Sequence, residues 1–247
     1  MYPFRTRFSK DILTEFFPPT RKTKRTRVVI LCDGMPSMPI KKDLLEFLSR
    51  KGYWVFYPRY RGSWESGGLF FAKSPDLDII DVIEGLSKEF SESYAGQKFR
   101  LKPDEIILVA SSFGGAAALL ASRDSRVTKV VAFSSLVDWT AKSDEPFDFM
   151  ERFVPEAFGM GYRISKNGWQ KVKSGQFFNP VTHVKEIVGK KTLMIHAQDD
   201  TVVFWKPVQK FAKQVGADLW LLKKGDHMGL STIMKNRFWK RAVKFLK

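Results

Sequence analysis

Two adjacent serines in LVASSFGGAAALL, residues 108–120, stand where an apolar run passes into small residues, and either hydroxyl could attack a carbonyl carbon. A nucleophile carried on a sharp strand-to-helix turn needs small residues two positions before and two after, because the turn brings those backbones together. Ser112 has Ala110 and Gly114 at these positions, whereas Ser111 has the bulkier Val109 and Phe113. Ser112 is therefore the candidate nucleophile. A serine hydroxyl reacts weakly at neutral pH unless a base, itself oriented by an acid, lies within hydrogen-bond reach. Of the three histidines, His227 sits in KKGDHMGL, a glycine-bearing loop behind the last strand-like run, where a base can be delivered. His196 ends the apolar run TLMIHA and reads as structural, and His183 in NPVTHV receives no role. For the acid, HAQDDTVV offers Asp199 and Asp200, with Asp138 in SSLVDW as a geometric alternative; the order Ser, Asp, His holds for all three.

Acyl transfer also needs two preorganised N–H donors for the oxyanion, and loss of one costs about 10²–10³ in rate. Phe113, directly after the nucleophile at a helix N-terminus, supplies the first. The second is expected from CDGMPSMP, where Pro36 has no N–H, Met35 is the donor and Gly34 lets the backbone approach closely.

Short apolar runs must position these groups. RVVILCDG, YWVFYPRY, EIILVAS, KVVAFSSL, TLMIHA and DLWLLKK are strand-length and nearly continuous, as in strands covered on both faces. Helical spacing lies between them. IKKDLLEFLSRKG sets Leu44, Leu45 and Leu48 on one face with Gly52 as a C-cap, and PDLDIIDVIEGLSKEF puts Leu77, Ile80, Ile83 and Leu86 three apart. The alternation predicts an α/β protein, a doubly wound and mostly parallel sheet with helices on both faces. In such sheets functional loops gather at the carboxyl ends of the strands. One stretch, 140–185, is too long for a simple crossover and rich in aromatics. Phe147, Phe149, Met150, Phe153, Phe158, Met160 and Tyr162 could line an apolar pocket as a lid or pack a helix pair onto the sheet.

At 247 residues the chain is expected to form one domain, 1–247, and its 44% hydrophobic content argues against disorder. No apolar run approaches the roughly 20 residues of a bilayer span. The start, MYPFRTRFSKDILTEFFPP, has charges where a signal peptide needs its apolar segment, so a cytoplasmic protein is expected. Cys32 is the only cysteine, which excludes an internal disulfide and a multi-cysteine metal site. The +16 net charge is spread along the chain without a zinc-finger, RNP or Walker pattern. A solvated basic surface is favoured over a nucleic-acid partner. Peripheral membrane contact through the C-terminal Phe238, Trp239, Val243, Phe245 and Leu246 is less favoured than packing of this last helix on the sheet. The oligomeric state is not legible.

Five stretches, in order, resemble the α/β-hydrolase superfamily from Arg27 to the C-terminus. CDGMP is similar to its H-G-x-P oxyanion loop, with Asp33 in place of His. RYRGSWESGG resembles R-G-x-G-x-S-x-G, with Trp64 where a Gly is usual. VASSFGG is similar to the nucleophile elbow, with Ala110 for Gly, and GDHMG to the histidine loop. LMIHAQDDTVV resembles H-G-x-x-D-x-x-V, and aligning His196 with that His puts the acid at Asp200. NPVTHVKEIVGKK adds likeness to the dienelactone hydrolase and prolyl oligopeptidase branch. The resemblance implies about six to seven strands, since the family's two N-terminal strands have little room before Arg27, and a small helical insertion before the penultimate strand. It implies a serine hydrolase without cofactor or metal. Ser112, Asp200 and His227 would cleave a carboxylic ester of a small or medium acyl substrate, with the Met35 and Phe113 amides as oxyanion donors. A peptidase or acyl-thioesterase of the same fold is the alternative, as is a non-catalytic hydrolase-like domain that binds an anionic partner.

Overall fold

Alternate residues of the apolar runs enter two different cores, which is what a sheet covered on both faces requires. The computed structural model describes residues 2–141 and 147–247. Its strands are β1 (Phe4–Phe8), β2 (Ile12–Phe17), β3 (Arg27–Cys32), β4 (Trp54–Pro58), β5 (Phe90–Ser91), β6 (Lys98–Phe99), β7 (Glu105–Ser111), β8 (Val127–Phe133), β9 (Thr192–Ala197) and β10 (Asp218–Leu222). Its helices are α1 (Lys42–Arg50), α2 (Pro75–Leu86), α3 (Phe113–Ala121), α4 (Phe147–Phe158), α5 (Lys166–Lys173), α6 (Trp205–Val215) and α7 (Asn236–Leu246). Val28, Ile30, Leu108, Ala110, Val130 and Ala132 face α2 and α3, while Val29, Leu31, Val109, Val131, Leu193 and Ile195 face α1 and α7. Helix α6 covers Met194 beside Leu119 of α3.

The main sheet runs β1-β2-β4-β3-β7-β8-β9-β10, antiparallel at β1/β2 and β2/β4 and parallel elsewhere, while β5 and β6 form a separate two-residue ribbon. The α/β class and the insertion before the penultimate strand match expectation, but the described sheet has eight strands rather than six or seven. The two N-terminal strands do fit before Arg27, because residues 4–17 fold back through a tight turn in which Ser9 and Lys10 both take positive φ. Their ladder follows the alternation of FRTRF: Phe8 is buried in the core, and Arg5, on the other face, pairs with Glu15 at 2.8 Å. In α2 the buried face is Ile79, Val82, Ile83 and Leu86, the i, i+3, i+4, i+7 set; Leu77 is 45% exposed and not part of it.

In the insertion, Phe147 packs edge-on against Trp139 and Trp169, and Tyr162 is buried, whereas Met160 is 76% exposed. Residues 142–146 of the expected 140–185 segment lie outside the described residues. At the C-terminus Phe238 and Ala242 are buried, with Trp239, Phe245 and Leu246 packed against the same core. No described helix is long and apolar enough to cross a membrane.

Crossing of α3 over the ends of β3 and β8 sets the steric demand at the elbow. A Cβ on Gly114 would stand 2.0 Å from the Cys32 carbonyl oxygen, and one on Gly115 would stand 2.4 Å from Ser135 Oγ. Ala110, by contrast, sits fully buried in regular strand paired with Cys32 and Ala132, so its methyl is ordinary core filling. Gly114→Ala is expected to lower stability by about 1–3 kcal/mol or more through overpacking, whereas Ala110→Gly costs about 0.5–1 kcal/mol. Thermal unfolding of both variants checks the ranking; a harmless Gly114→Ala would contradict the packing described.

Candidate active site

Strand β7 ends at Ser111 and α3 begins at Phe113, so Ser112 alone makes the turn, at φ 52° and ψ −124°. Side chains rarely occupy this region. Surrounding hydrogen bonds hold it there: the Ser112 N–H donates to the Phe133 carbonyl at 3.0 Å, and its own carbonyl accepts from Gly115 (2.9 Å) and Leu136 (3.0 Å). Ser111, the neighbour, is buried at the strand end.

Loops behind β9 and β10 bring the acid and the base together. His227 Nδ1 lies 3.0 Å from both carboxylate oxygens of Asp200. A carboxylate only accepts, so Nδ1 carries the proton and donates it, leaving Nε2 as the basic nitrogen. Asp200 is buried and accepts on Oδ1 from the N–H groups of Val202 (3.1 Å) and Val203 (2.9 Å). Burial raises its pKa, but the His227 hydrogen bond and charge, with the Val203 and Ser134 hydrogen bonds, outweigh this and hold it below its ordinary value.

The other two candidate acids separate cleanly. Asp199 Oδ1 accepts from Gly225 and Asp226 N–H, both at 2.9 Å, and so anchors the loop that carries His227. Asp138 caps its own turn at Thr140, with N–H and Oγ1 contacts of 2.9 and 2.7 Å. His196 is buried with Nε2 2.8 Å from the Val203 carbonyl, and burial pushes its pKa down, so it is a neutral brace for the Asp200 loop. His183 meets Glu186 and Arg123 at the surface. Cys32 is fully buried, and that burial pushes its thiol pKa far up, which leaves no thiolate.

Ser112 and His227 line one cavity of about 640 Å³, together with Gly34 and Met35 on one side and Met150, Phe153 and Phe158 of the insertion on another. Part of the insertion thus lines the cavity, while Phe147 and Tyr162 pack on the body of the protein. The Ser112 hydroxyl makes no hydrogen bond among the described residues. Catalytic hydrogen bonds are commonly long without substrate and tighten on binding. The backbone N–H groups of Met35 and Phe113 are likewise without acceptors among the described residues, although both residues are buried. N–H groups without an acceptor beside the elbow are the kind of donor that an oxyanion would need. The Gly34 N–H is not available, because it donates to Asp33 Oδ1 at 2.9 Å. No group of three or more His, Cys, Asp or Glu side chains that could hold a metal forms among the described residues.

Sequence reasoning passed over Ser134. Fully buried at the end of β8 with φ 43°, it accepts from the Met228 N–H at 2.9 Å and hydrogen-bonds Asp200, joining the acid to the histidine loop. Its signal was positional: a small polar residue directly behind the strand between those bearing Ser112 and Asp200.

The depressed pKa of Asp200 gives a signed expectation. A carboxylate whose folded pKa lies below its unfolded value contributes stability above the ordinary 3.8, lost as pH falls below 3.8 through the folded value. Asp200→Asn should remove this part of the acid limb, seen as a flatter dependence of the unfolding midpoint on pH below 3.8. An unchanged slope would argue against a buried ionised Asp200.

No curated protein matches the chain in sequence. Among solved structures it is similar to an esterase of Pyrococcus furiosus, at 19% identity and a TM-score of 0.68 over 100% of this chain and 90% of that one. It is also similar to the acylaminoacyl peptidase of Pyrococcus horikoshii, at 18% identity and a TM-score of 0.65 over 97% of this chain but only 40% of that longer one. These likenesses carry the fold. The prolyl oligopeptidase family model matches residues 42–247, a span running from α1 through the elbow, the acid loop and the histidine loop to the last helix. This chain belongs to that family of serine hydrolases.

Proposed function

We propose that the chain cleaves a carboxylic ester of a small or medium acyl substrate through Ser112, His227 and Asp200. His227 Nε2 takes the Ser112 proton as Oγ bonds to the carbonyl carbon, and the carbonyl π pair moves onto oxygen, where the Met35 and Phe113 N–H groups stabilise it. Collapse of this intermediate breaks the bond to the leaving alkoxide, which takes the proton back from the imidazolium. Water, deprotonated by the same nitrogen, then releases the acid. The observation that carries the reading is the buried Asp200 carboxylate at 3.0 Å from His227 Nδ1, with the strained Ser112 in the same cavity.

An ester is favoured over a peptide with a free amino terminus by the charges around the cavity. Asp33 is the one carboxylate among its described lining residues, and it is already engaged by Gly34, Ser37, Tyr57 and Lys41. A substrate ammonium would find no unengaged counter-charge there, while Met150, Phe153 and Phe158 offer an apolar wall for an acyl chain. Cleavage of a peptide is the second reading, supported by the family match. Turnover of p-nitrophenyl esters of graded chain length, measured beside aminoacyl and acyl-aminoacyl anilides, tests the choice. Preference for esters is expected, and faster turnover of either anilide would reverse it.

A further inference from the structure

The two positions where the oxyanion-side loops depart from the hydrolase pattern, Asp33 and Trp64, are joined by hydrogen bonds through Ser37. Trp64 occupies φ 46°, a conformation suited to the usual glycine, yet its side chain is engaged on two sides. Its indole Nε1–H donates to the Ser37 carbonyl at 3.1 Å. Its ring meets Phe158 and Tyr162 edge-on, with centroids 6.4 and 6.2 Å away, and lies against Gly161. Ser37 is held further by its N–H to Tyr162 Oη at 2.9 Å, and its Oγ–H donates to Asp33 Oδ2 at 2.8 Å. Asp33 also accepts from Tyr57 Oη at 2.9 Å and from Lys41 Nζ at 2.8 Å, and its other oxygen takes the Gly34 N–H. Burial and the adjacent Asp33 carboxylate both push the Tyr57 pKa up, which keeps its hydroxyl a donor. Met35 is therefore clamped on both sides, through Gly34 before it and Ser37 after it.

We infer that Trp64, Ser37 and Asp33 act as one positioning unit that fixes the Met35 N–H for the oxyanion and ties it to the insertion wall carrying Phe158. The inference rests on the serine-hydrolase reading of Ser112 given above. Trp64 is thus a positioning residue. Its strained backbone is kept because a glycine there would supply neither the indole donor nor the ring against Phe158 and Tyr162.

The test is the second-order rate of Ser112 labelling by a fluorophosphonate, with kcat and KM on a p-nitrophenyl ester, in wild type, Trp64→Phe, Asp33→Asn and the double variant. Trp64→Phe keeps an aromatic ring and removes the indole donor. Each single change is expected to slow labelling and lower kcat about ten-fold with little change in KM, since small misplacements far from the bond being broken carry losses of this order or more. The double variant is expected to be no slower than about two-fold beyond the slower single, as residues in one unit are not additive. Wild-type rates in Trp64→Phe, multiplied losses in the double variant, or a change confined to KM would each overturn the inference. Should either variant fail to fold, Ser37→Ala removes only the linking hydroxyl and carries the same expectation. Absence of labelling in wild type would instead overturn the catalytic reading, and this inference with it.

Discussion

Ser112→Gly is expected to stabilise the protein while abolishing its chemistry. The residue stands at φ 52°, held by the Phe133 carbonyl and the Gly115 and Leu136 amides rather than by its own preference. A non-glycine residue in such a region costs about 1–3 kcal/mol, and glycine gives back part of the relief through its freer unfolded chain, leaving a net gain of roughly 1 kcal/mol. Loss of the nucleophile should lower kcat by about 10⁴–10⁶-fold, because base, acid and oxyanion donors act as a unit with it. Fluorophosphonate labelling and calorimetry on the same preparation test both halves. Labelling that survives would assign the nucleophile elsewhere, and a lowered unfolding temperature would mean the turn is not strained.

Asp200→Asn should lower kcat by about 10⁴-fold with the fold intact, by imposing the wrong imidazole tautomer. The amides of Val202 and Val203 both donate to Oδ1, so the asparagine carbonyl must stay there and its NH₂ take the place of Oδ2, 3.0 Å from His227 Nδ1. At equal 3.0 Å distances Nδ1 then faces a new donor on one side and, on the other, a neutral carbonyl already shared by two amides, so Nδ1 is favoured as the acceptor, the proton moves to Nε2, and the base is lost. Asp199→Asn keeps a carbonyl for Gly225 and Asp226 and should cost no more than about ten-fold, as a positioning change. Asp138→Asn should be nearly silent, since that carboxylate caps the turn at Thr140 and accepts from Asn179, contacts that an asparagine carbonyl can keep and that do not reach His227. Comparable kcat/KM losses at Asp199 and Asp200 would contradict this division.

The candidate site was largely legible as a set of residues and poorly legible as an arrangement. Small flanks around Ser112 and the order of the loops behind successive strands pointed to the same serine, histidine and acid that one cavity and one hydrogen-bonded pair now bring into relation. The residues alone left Asp138, Asp199 and Asp200 open and only the resemblance pointed to Asp200, because all three follow strands and the fold of the chain decides which carboxylate meets the imidazole. Ala110 stands where the hydrolase pattern has glycine, yet the tight approach falls on Gly114 and Gly115, where α3 passes the ends of β3 and β8. The two N-terminal strands were missed because FRTRF and ILTEFF are short and charge-bearing, and their pairing depends on a turn with two non-glycine residues at positive φ.

By itself the sequence determined the alternation of buried strands and amphipathic helices, and with it the carboxyl-edge loops on which the chemistry must sit. Those are consequences of local periodicity and of apolar burial, which act within a few residues. The tertiary structure alone decided that Asp200 faces His227, that Ser134 and Asp199 hold the histidine loop, and that Asp33, Ser37 and Trp64 clamp Met35. Most of these bonds, such as Trp64 to Ser37, Asp199 to Gly225, Asp200 to His227 and Ser134 to Met228, join residues far apart in sequence at about 3 Å, a distance that strand order and helix crossing set and residue types do not encode.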